Sequence, residues 1–387
     1  MSAQTKTPLS TPKQPLEILL PFPRTSPNSH SLRLLGELVN EILSNEEVYS
    51  VTYSPVLCPV PKDEGGGRKQ LFTIKPHWWQ TTNGEWEWRD GQRNPDAARP
   101  QGQAQLESLS KSVHILSMGL KYIPDIDTEV RQRSVEKIEK LLKVFFIDPD
   151  TRMEPQVRFS QCHPGQDPMR GNDMFVIAIR YLILVDQALL LSGDHIDRHL
   201  LTQVKEWMTE QVTWMESSEQ GLKARQAEKP LWYNVIFASH RQYIDGDASS
   251  TTHASKAFTD WISNHPKSED AFQESLRHDN RRHRCLFTLE SIFLLASLAT
   301  PTPEKQDVPD DSKKYLRDCV EYVQTVTKGP IEDPLEDDIR YLARVAWFDR
   351  ILDSWDGKVQ ENEEEEPDGE GWENGWCKRM RMMWGFV

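Results

Sequence analysis

The sequence predicts an all-α protein in which antiparallel helix hairpins form an (α/α) toroid, or incomplete barrel. From Leu106 onward, apolar residues recur at helical spacing almost without interruption, and short turns separate the helical segments. The alternation that is typical of strands is nearly absent. Met174–Leu191 and Leu286–Leu298 are apolar on most of their circumference, whereas their neighbours are amphipathic. Two shells of helices accommodate both kinds.

The predicted elements follow in order along the 387 residues. A Pro-rich arm precedes a first helix at Ser31–Leu43, and a long loop at residues 58–105 carries Trp78, Trp79, Trp86 and Trp88. A loop of this length is usually functional or disordered, and its tryptophans argue against disorder. The other helices are predicted at Leu106–Lys121, Thr128–Phe146, Asp173–Leu191, Asp197–Met215, Leu231–Ile244, His253–Ile262, Glu269–Arg277, Arg284–Ala299, Ser312–Thr327 and Glu336–Ser354.

These boundaries predict three parts. Residues 1–28 form a flexible arm, residues 29–356 form the toroid, and residues 357–387 form an acidic linker with an aromatic and basic tail. The tail could dock on the acidic body of the protein or on a partner.

Composition and charge exclude several classes of protein. The formal net charge of −14 argues against a nucleic-acid-binding protein, which usually carries a basic face. Cys285–Ala299 is shorter than the roughly 20 apolar residues of a membrane span, so no span is predicted. The polar N-terminal residues lack a secretion signal, and the five cysteines show no C-x-x-C spacing. We therefore expect a cytoplasmic protein, and its oligomeric state stays open.

Five segments, in order and spacing, resemble those of the alginate lyase-like polysaccharide lyases. They are Lys75–Gln80 (KPHWWQ), Trp88–Pro95 (WRDGQRNP), Phe146–Pro155 (FIDPDTRMEP) with Gln161 and Arg170-Gly171 after it, Trp232–Val235 (WYNV) and Glu274–Arg277 (ESLR). The resemblance implies an α/α toroid with a cleft across its mouth, and β-elimination at a uronate. In that reaction a neutralised carboxylate acidifies the C5 proton, a base removes it, and an acid protonates the leaving oxygen.

The family's catalytic residues are replaced at several positions. The family has an Asn–His pair just upstream of its WYDV segment, and this chain has Glu228 and Lys229 there. Arg277 matches the family's Arg, but Arg284 stands where the family has a Tyr. Arg is always protonated and is a poor base, so ordinary alginate lyase activity is not expected. His283 or Tyr233 could substitute, although Tyr233 also fits a core position.

The replacements instead predict an anion-binding pocket. Arg277 and Arg284 would bind the anionic group, with Lys229 assisting, because guanidinium forks bind oxyanions bidentately. Other residues expected to shape the pocket are Trp78, Trp79, Arg89, Gln161, Arg170, Glu228, Trp232, Tyr233, Asn234 and Arg282. The alternative is that the arginines merely pair with nearby acids such as Glu274 and Asp279.

An anion pocket beside aromatic rings also suits ionisation of a prenyl diphosphate. In this respect the chain could be similar to the atypical, humulene-forming sesquiterpene cyclases, which would require Mg²⁺. Asp173 is the candidate metal ligand, although a helix N-cap is its favoured role. Asp337–Tyr341 (DDIRY) lacks the final acid of an aspartate-rich DDxxD motif.

Several functions therefore stay open. The sequence predicts a carbon–oxygen lyase in the broad sense, acting on a small anionic substrate, either a uronate or a prenyl diphosphate. The alternatives are a Mg²⁺-dependent sesquiterpene cyclase, a uronate-specific polysaccharide lyase with rearranged acid–base residues, and a non-catalytic anion-binding protein.

Overall fold

A computed structural model describes residues 27–90, 92, 94, 102–226, 231–300, 308–327, 338–356, 379 and 382. Most of the predicted arm and of the predicted tail lies outside these residues, as do Glu228, Lys229 and Asp337. The three predicted parts therefore remain predictions.

The described chain is 68% helical and contains one two-stranded sheet, which confirms the all-α prediction. Its helices are α1 (Ser29–Ser44), α2 (Gly102–Tyr122), α3 (Thr128–Leu142), α4 (Phe175–Ile179), α5 (Leu182–Ser192), α6 (Arg198–Ser217), α7 (Glu219–Gln226), α8 (Leu231–Asp245), α9 (Asp247–Asn264), α10 (Ser268–Leu276), α11 (Arg281–Leu298), α12 (Asp310–Val326) and α13 (Asp338–Trp355). Short 3₁₀ turns occur at Val51–Tyr53, Lys62–Glu64 and Gly193–His195, and a π turn at Lys143–Ile147 extends α3.

The helices form an inner and an outer layer. Along the inner layer, α2 packs on α5, α5 on α8, α8 on α11 and α11 on α13. The outer layer includes α3, α6, α9 and α12, each packed against the inner helices or against its neighbours. Nearly every side chain of α5 and α11 is buried, as predicted from their uniformly apolar sequences. This layering is the two-shell arrangement that the sequence predicts.

The predicted helix Asp173–Leu191 is interrupted at Arg180 and Tyr181, between α4 and α5. The Arg180 guanidinium donates a hydrogen bond from Nη1 to the carbonyl oxygen of Ile177 at 2.7 Å. The next turn is tightened, because the backbone N–H groups of Ile183 and Leu184 donate to the carbonyls three residues earlier. The charged side chain therefore marks the break in an otherwise apolar segment.

A β-hairpin is the main element that the sequence analysis missed. Strands β1 (Trp78–Gln80) and β2 (Trp86–Trp88) pair antiparallel, with Trp78 opposite Trp88. Asn83-Gly84 lies in the connecting turn, where Gly84 has φ +83°. An Asn-Gly pair between alternating apolar residues is a strong hairpin signal, and it was present in the sequence.

The hairpin region has a small core of its own. Cys58, Phe72, Phe159 and Cys162 are buried together, apart from the large core that the helices share. A parallel bridge between Ile74 and Cys162 joins the segment before the hairpin to the segment after the π turn. The segments that precede and follow the hairpin thus pack together in a cluster separate from the helical core.

The segment Phe175–His195 is long and apolar enough to cross a membrane, judged by length and composition among the described residues. However, 83% of its most apolar stretch is buried inside the protein, as expected for a core helix. This segment, rather than Cys285–Ala299, is the most apolar candidate.

Two residues of the predicted tail, Arg379 and Met382, are described, and both are buried. Met382 lies in the main core, and the charge of Arg379 acts on His114 of α2. Burial, with a further contribution from Arg379, holds the pKa of His114 well below its usual value. At these two positions, the chain docks on the body of the protein.

Candidate functional site

The hairpin meets the helical body at Asp90, immediately after β2. The Asp90 carboxylate lies 3.0 Å from Nδ1 of His278 and accepts a hydrogen bond from the backbone N–H of Asp279 at 3.2 Å. Arg284, in the first turn of α11, places Nη2 3.8 Å from the same carboxylate. Asp90 therefore joins the Trp-rich hairpin to the turn between α10 and α11.

His278 bridges two carboxylates. Its Nδ1 faces Asp90, and its Nε2 lies 3.3 Å from Oε1 of Glu274, which also accepts a hydrogen bond from Arg277. Because a carboxylate accepts hydrogen bonds and does not donate them, an Nδ1–H of the ring serves Asp90, and the Nε2 contact with Glu274 is the longer of the two. About a fifth of the His278 side chain, 22%, stays exposed, so solvent and ligand can reach it.

The electrostatics of the site follow from these contacts. Partial burial tends to raise the pKa of Asp90, but the hydrogen bonds from His278 and Asp279 and the charges of His278 and Arg284 outweigh it, and the pKa is lowered. Burial lowers the pKa of Arg284, against the opposing effect of Asp90 and Glu274. Arg284 also donates from Nε to the side-chain oxygen of Asn280 at 2.9 Å. The site is a compact group of alternating charges.

Aromatic rings cover the hairpin. Trp78 contacts His163 edge-on, with ring centroids 3.7 Å apart, and lies 6.0 Å from the Trp88 ring. Trp88 keeps 44% of its surface exposed. An exposed ring of this kind can stack on a sugar face or on another apolar surface. Asn94 holds the hairpin from one side by donating to the backbone carbonyl of Trp78 at 2.7 Å.

Arg89 belongs to the hairpin rather than to an anion clamp. Its Nε donates to Glu87 at 2.6 Å, and its guanidinium lies 4.8 Å from the centre of the Trp79 ring. Arg170 is exposed, and its charge acts on Glu219. Both arginines therefore have acidic neighbours, as the alternative interpretation expected.

Gln161 has a structural role in the loop before α4. It has φ +57°, and its backbone N–H donates to the Thr73 hydroxyl at 2.7 Å. Its carbonyl oxygen accepts from the Asn172 side chain at 2.8 Å. Gly171, of the Arg170-Gly171 pair, lets two backbone segments lie close together. A Cβ at this position would lie 2.4 Å from the carbonyl oxygen of Ser160.

The residues of the WYNV segment lie at the start of α8. Trp232 is 4% exposed and packs on the half-buried Phe287 of α11, with ring centroids 4.7 Å apart. Asn234 accepts a hydrogen bond through its side-chain oxygen from Nε2 of His253 at 3.0 Å, and the pKa of His253 is lowered to about 4, mainly by burial. His283, one turn before Phe287, also faces that ring at 6.0 Å.

Tyr233 is a core residue. It is 1% exposed, its hydroxyl donates to the carbonyl of Met215 at 3.3 Å, and burial raises its pKa to about 12. A phenol without access to solvent, and with its proton already donated, is poorly placed for the acid–base role considered for it. The core interpretation fits these contacts.

The predicted arginines do not all converge. Arg277 and Arg284 both contact the Asp90–His278–Glu274 group, which brings them to one site. Arg282 is 3% exposed and donates to the carbonyl of Thr327 at the end of α12, so it points elsewhere. Glu228 and Lys229 lie outside the described residues.

Asp173 lies in the turn before α4 and is half-buried. The favoured N-cap role is wrong, because Met174 occupies the N-cap position of α4 and no side chain there caps the helix by a hydrogen bond. Among the described residues, no group of three or more His, Cys, Asp or Glu side chains is arranged to hold a metal ion. The Mg²⁺ ligand role of Asp173 remains a prediction.

Asp90 and His278 are the site residues that the sequence analysis missed. Both belong to segments that it had singled out, since Asp90 is the Asp of the WRDGQRNP segment and His278 directly follows ESLR. They are 188 positions apart in the chain, so only the fold reveals that they meet.

The chain resembles known proteins both in sequence and in fold. The sequence model of the alginate lyase family matches residues 59–238, which run from the loop before the hairpin into α8. The crystal structure of an alginate lyase from Bacteroides ovatus superposes with a TM-score of 0.69 at 18% identity, covering 85% of this chain and 86% of that chain. No curated protein matches the sequence.

These matches confirm the resemblance to alginate lyase-like proteins and the α/α toroid. The chain is polysaccharide lyase-like in its matched region and in its fold. The two matches give no support to the humulene-type cyclase, to a magnesium requirement or to secondary metabolism.

Proposed function

We propose that this protein is a lyase that cleaves a uronate-containing saccharide by β-elimination. The family match supports the reaction class and an anionic saccharide as substrate. The observation that carries the proposal is the meeting of the aromatic hairpin with Asp90, His278 and Arg284 at one partly exposed place. A sugar stacked on Trp88 would find a guanidinium and an imidazole beside it.

Arg284, with Arg277, would hold the uronate carboxylate. A bound guanidinium neutralises the carboxylate and so makes the neighbouring C5 proton more acidic. Both arginines are held near the site by acids, Arg284 by Asp90 and Arg277 by Glu274. A substrate carboxylate can replace one of these contacts without leaving a guanidinium unpaired.

His278 would carry the proton transfer that the family assigns to residues absent here. The neutral imidazole takes the C5 proton, the C5–H electrons form the C4–C5 double bond, and the bond between C4 and the leaving oxygen breaks. The imidazolium then returns the proton to that oxygen, so that one group acts first as base and then as acid. Asp90 is a positioning residue, because its carboxylate fixes the ring through Nδ1 and leaves Nε2 to face the substrate once Glu274 moves toward Arg277.

The proposal is tested with the purified full chain and a panel of polyuronates and oligouronates, by following the ultraviolet absorbance of the unsaturated uronate product. His278→Ala should lower turnover about 100-fold or more, the usual effect of losing a general base or acid. Arg277→Ala and Arg284→Ala should each lower turnover by about 100-fold while the fold stays intact. Circular dichroism checks the fold.

A matched control is His199→Ala, since His199 is exposed on the outer helix α6. This variant should behave as the wild type. Full activity of His278→Ala would remove the assigned acid–base role, and full activity of both Arg variants would remove the anion site. If the wild type binds a uronate but releases no unsaturated product, the non-catalytic binding protein is the better description.

A further inference from the structure

The carboxylate of Glu274, on α10, lies in front of the His278 ring. Its Oε1 is 3.3 Å from Nε2 of His278, and its Oε2 accepts a hydrogen bond from Nη1 of Arg277 at 3.2 Å. Atoms that exchange a proton or react with each other must first approach to about 3–3.5 Å. The carboxylate oxygen therefore occupies the space in front of Nε2 that the C5 atom of a sugar would need.

The other nitrogen of the ring is engaged. Nδ1 of His278 lies 3.0 Å from the Asp90 carboxylate. Asp90 in turn is held by the backbone N–H of Asp279 and by the guanidinium of Arg284. With Nδ1 held in this way, Nε2 is the nitrogen that can take a proton from a substrate. The position of Glu274 therefore decides whether His278 can act.

Of the two carboxylates on His278, Glu274 has the more room to move. It lies in the last turn of α10 and keeps 42% of its side chain exposed, against 27% for Asp90. Its partner Arg277 is 72% exposed, so the two side chains can turn toward solvent together. Ion pairs in such exposed positions contribute little to stability, so this movement costs little.

A substrate carboxylate supplies the force for that movement. The charges of Glu274 and Asp90 both act on Arg284, the guanidinium proposed to hold the uronate. A carboxylate that binds at Arg284 therefore brings a further negative charge close to Glu274, and like charges at such distances repel each other. Asp90 is fixed by its three partners, so Glu274 is the group that yields. A neutral sugar brings no such charge and leaves Glu274 in place.

We infer that Glu274 is a gate over Nε2 of His278, and that the carboxylate of the substrate opens it. The gate makes the protein select acidic sugars over neutral ones, because a ligand without a negative charge meets a covered nitrogen. The inference rests on the proposed function for the role of His278, and it adds a selection step before proton transfer. Glu274 is thus a specificity-determining residue that acts through His278.

The test compares a polyuronate with its methyl ester as substrates of the purified full chain. The ester is uncharged, so its C5 proton is acidic without a neutralising guanidinium, and access to Nε2 limits its cleavage. Glu274→Ala should raise kcat/KM for the ester about tenfold or more, measured by the ultraviolet absorbance of the unsaturated product. The preference for the acid should narrow by the same factor. An unchanged preference, or a loss of activity on both substrates, would overturn the inference.

Two further variants separate charge from space. Glu274→Gln keeps the size of the side chain, but a substrate carboxylate does not repel it, so this variant should cleave the acid more slowly than the wild type and gain nothing on the ester. Cleavage of the acid at the wild-type rate would contradict opening by charge. Glu269→Ala is the matched control, because Glu269 is an exposed acid of the same helix that lies 3.7 Å from Lys267. This variant should keep the wild-type preference. Alanine is a good helix former, so both alanine variants should fold.

A measurement that needs no turnover separates failure of the inference from failure of the proposed function. Diethyl pyrocarbonate modifies accessible imidazole nitrogens, and mass spectrometry of the peptide that contains His278 gives the rate. Glu274→Ala should be modified several-fold faster than the wild type. Faster modification without cleavage of any uronate means that the gate stands and the lyase assignment falls. Cleavage of the acid by the wild type, with equal modification rates in the two proteins, means that only the gate is wrong. If neither cleavage nor a difference in modification is seen, both fall.

Discussion

Asp90 is the residue on which the site depends, because it is at once the end of the hairpin and the partner of His278, Asp279 and Arg284. One carboxylate thus links the His278 ring to the aromatic hairpin and the hairpin to the helices. Its loss should affect both stability and activity.

The lowered pKa of Asp90 predicts how stability depends on pH. A carboxyl whose pKa is lower in the folded state than in the unfolded chain stabilises the fold fully above the unfolded value of about 4, and this stabilisation is lost as the pH falls through the lowered folded value. Asp90→Asn should remove this part of the acid dependence. Urea unfolding from about pH 7 to about pH 2 measures it.

Asp194→Asn is the control, since Asp194 is exposed in the turn after α5. The free energy of unfolding of this variant should depend on pH as it does in the wild type. Parallel profiles for Asp90→Asn and wild type would contradict the electrostatic role assigned to Asp90.

Residue by residue, sequence predicted part of the site. Arg277 and Arg284 were found because they occupy positions of a family motif, and the structure brings both to the Asp90–His278–Glu274 group. His278 was missed because its function depends on Asp90, which is far away in the chain.

At the scale of elements, the position of the hairpin depends on a glycine that lies against Trp86 of β2. Gly165 has φ +77°, and a Cβ there would lie 2.5 Å from Cδ1 of Trp86. Gly165→Ala should therefore push β2 from its place and impose a strained backbone, with a loss of about 1–2 kcal/mol in the free energy of unfolding and weaker saccharide binding. Urea unfolding and calorimetry measure the two effects.

The paired control is Gly36→Ala in α1, where a Cβ would have nothing within 4 Å. Alanine is the better helix former by about 1 kcal/mol, so this variant should be as stable as the wild type or more so. A Gly165→Ala protein with wild-type stability and binding would show that Trp86 does not depend on this contact.

Helices were the elements best predicted from sequence, since apolar residues at helical spacing identify the buried face directly. Helix α7 (Glu219–Gln226) was missed because it is short and mostly exposed, with only Gly221 and Ala224 buried. The hairpin was missed because its strands have three residues each, too few for a period to persist, although Asn83-Gly84 marked the turn.

At the scale of the whole molecule, a buried polar network joins three helices. Asp186 of α5 lies 2.8 Å from Nδ1 of His240 of α8 and accepts a hydrogen bond from Ser239 at 2.6 Å. Nε2 of His240 lies 2.9 Å from the side-chain oxygen of Gln211 of α6. All four side chains are buried, so the network fixes how an outer helix packs on two inner ones.

Removing Asp186 should therefore be strongly destabilising. Asp186→Ala leaves a buried imidazole facing a cavity without its carboxylate, and the expected loss in the free energy of unfolding is about 3–5 kcal/mol. Urea unfolding measures it. Asp245→Ala breaks an exposed pair with Arg241 within α8 and should cost only about 0.3–0.5 kcal/mol. Equal losses in the two variants would contradict the network's role.

The toroid itself was predicted because it is the arrangement that buries two uniformly apolar helices and gives their amphipathic neighbours an outer layer. The network at Asp186 was not, because an Asp and a His in helical segments do not indicate from sequence which helix each will face. Long-range polar pairs depend on the packing that the apolar pattern produces, and they appear only with it.

The small core beside the hairpin has a consequence for how the protein tolerates substitution. Cys58, Phe72, Phe159 and Cys162 pack with one another and apart from the core that the helices share. A cavity made in this cluster should therefore loosen the segments before and after the hairpin while the helical layers keep their own packing.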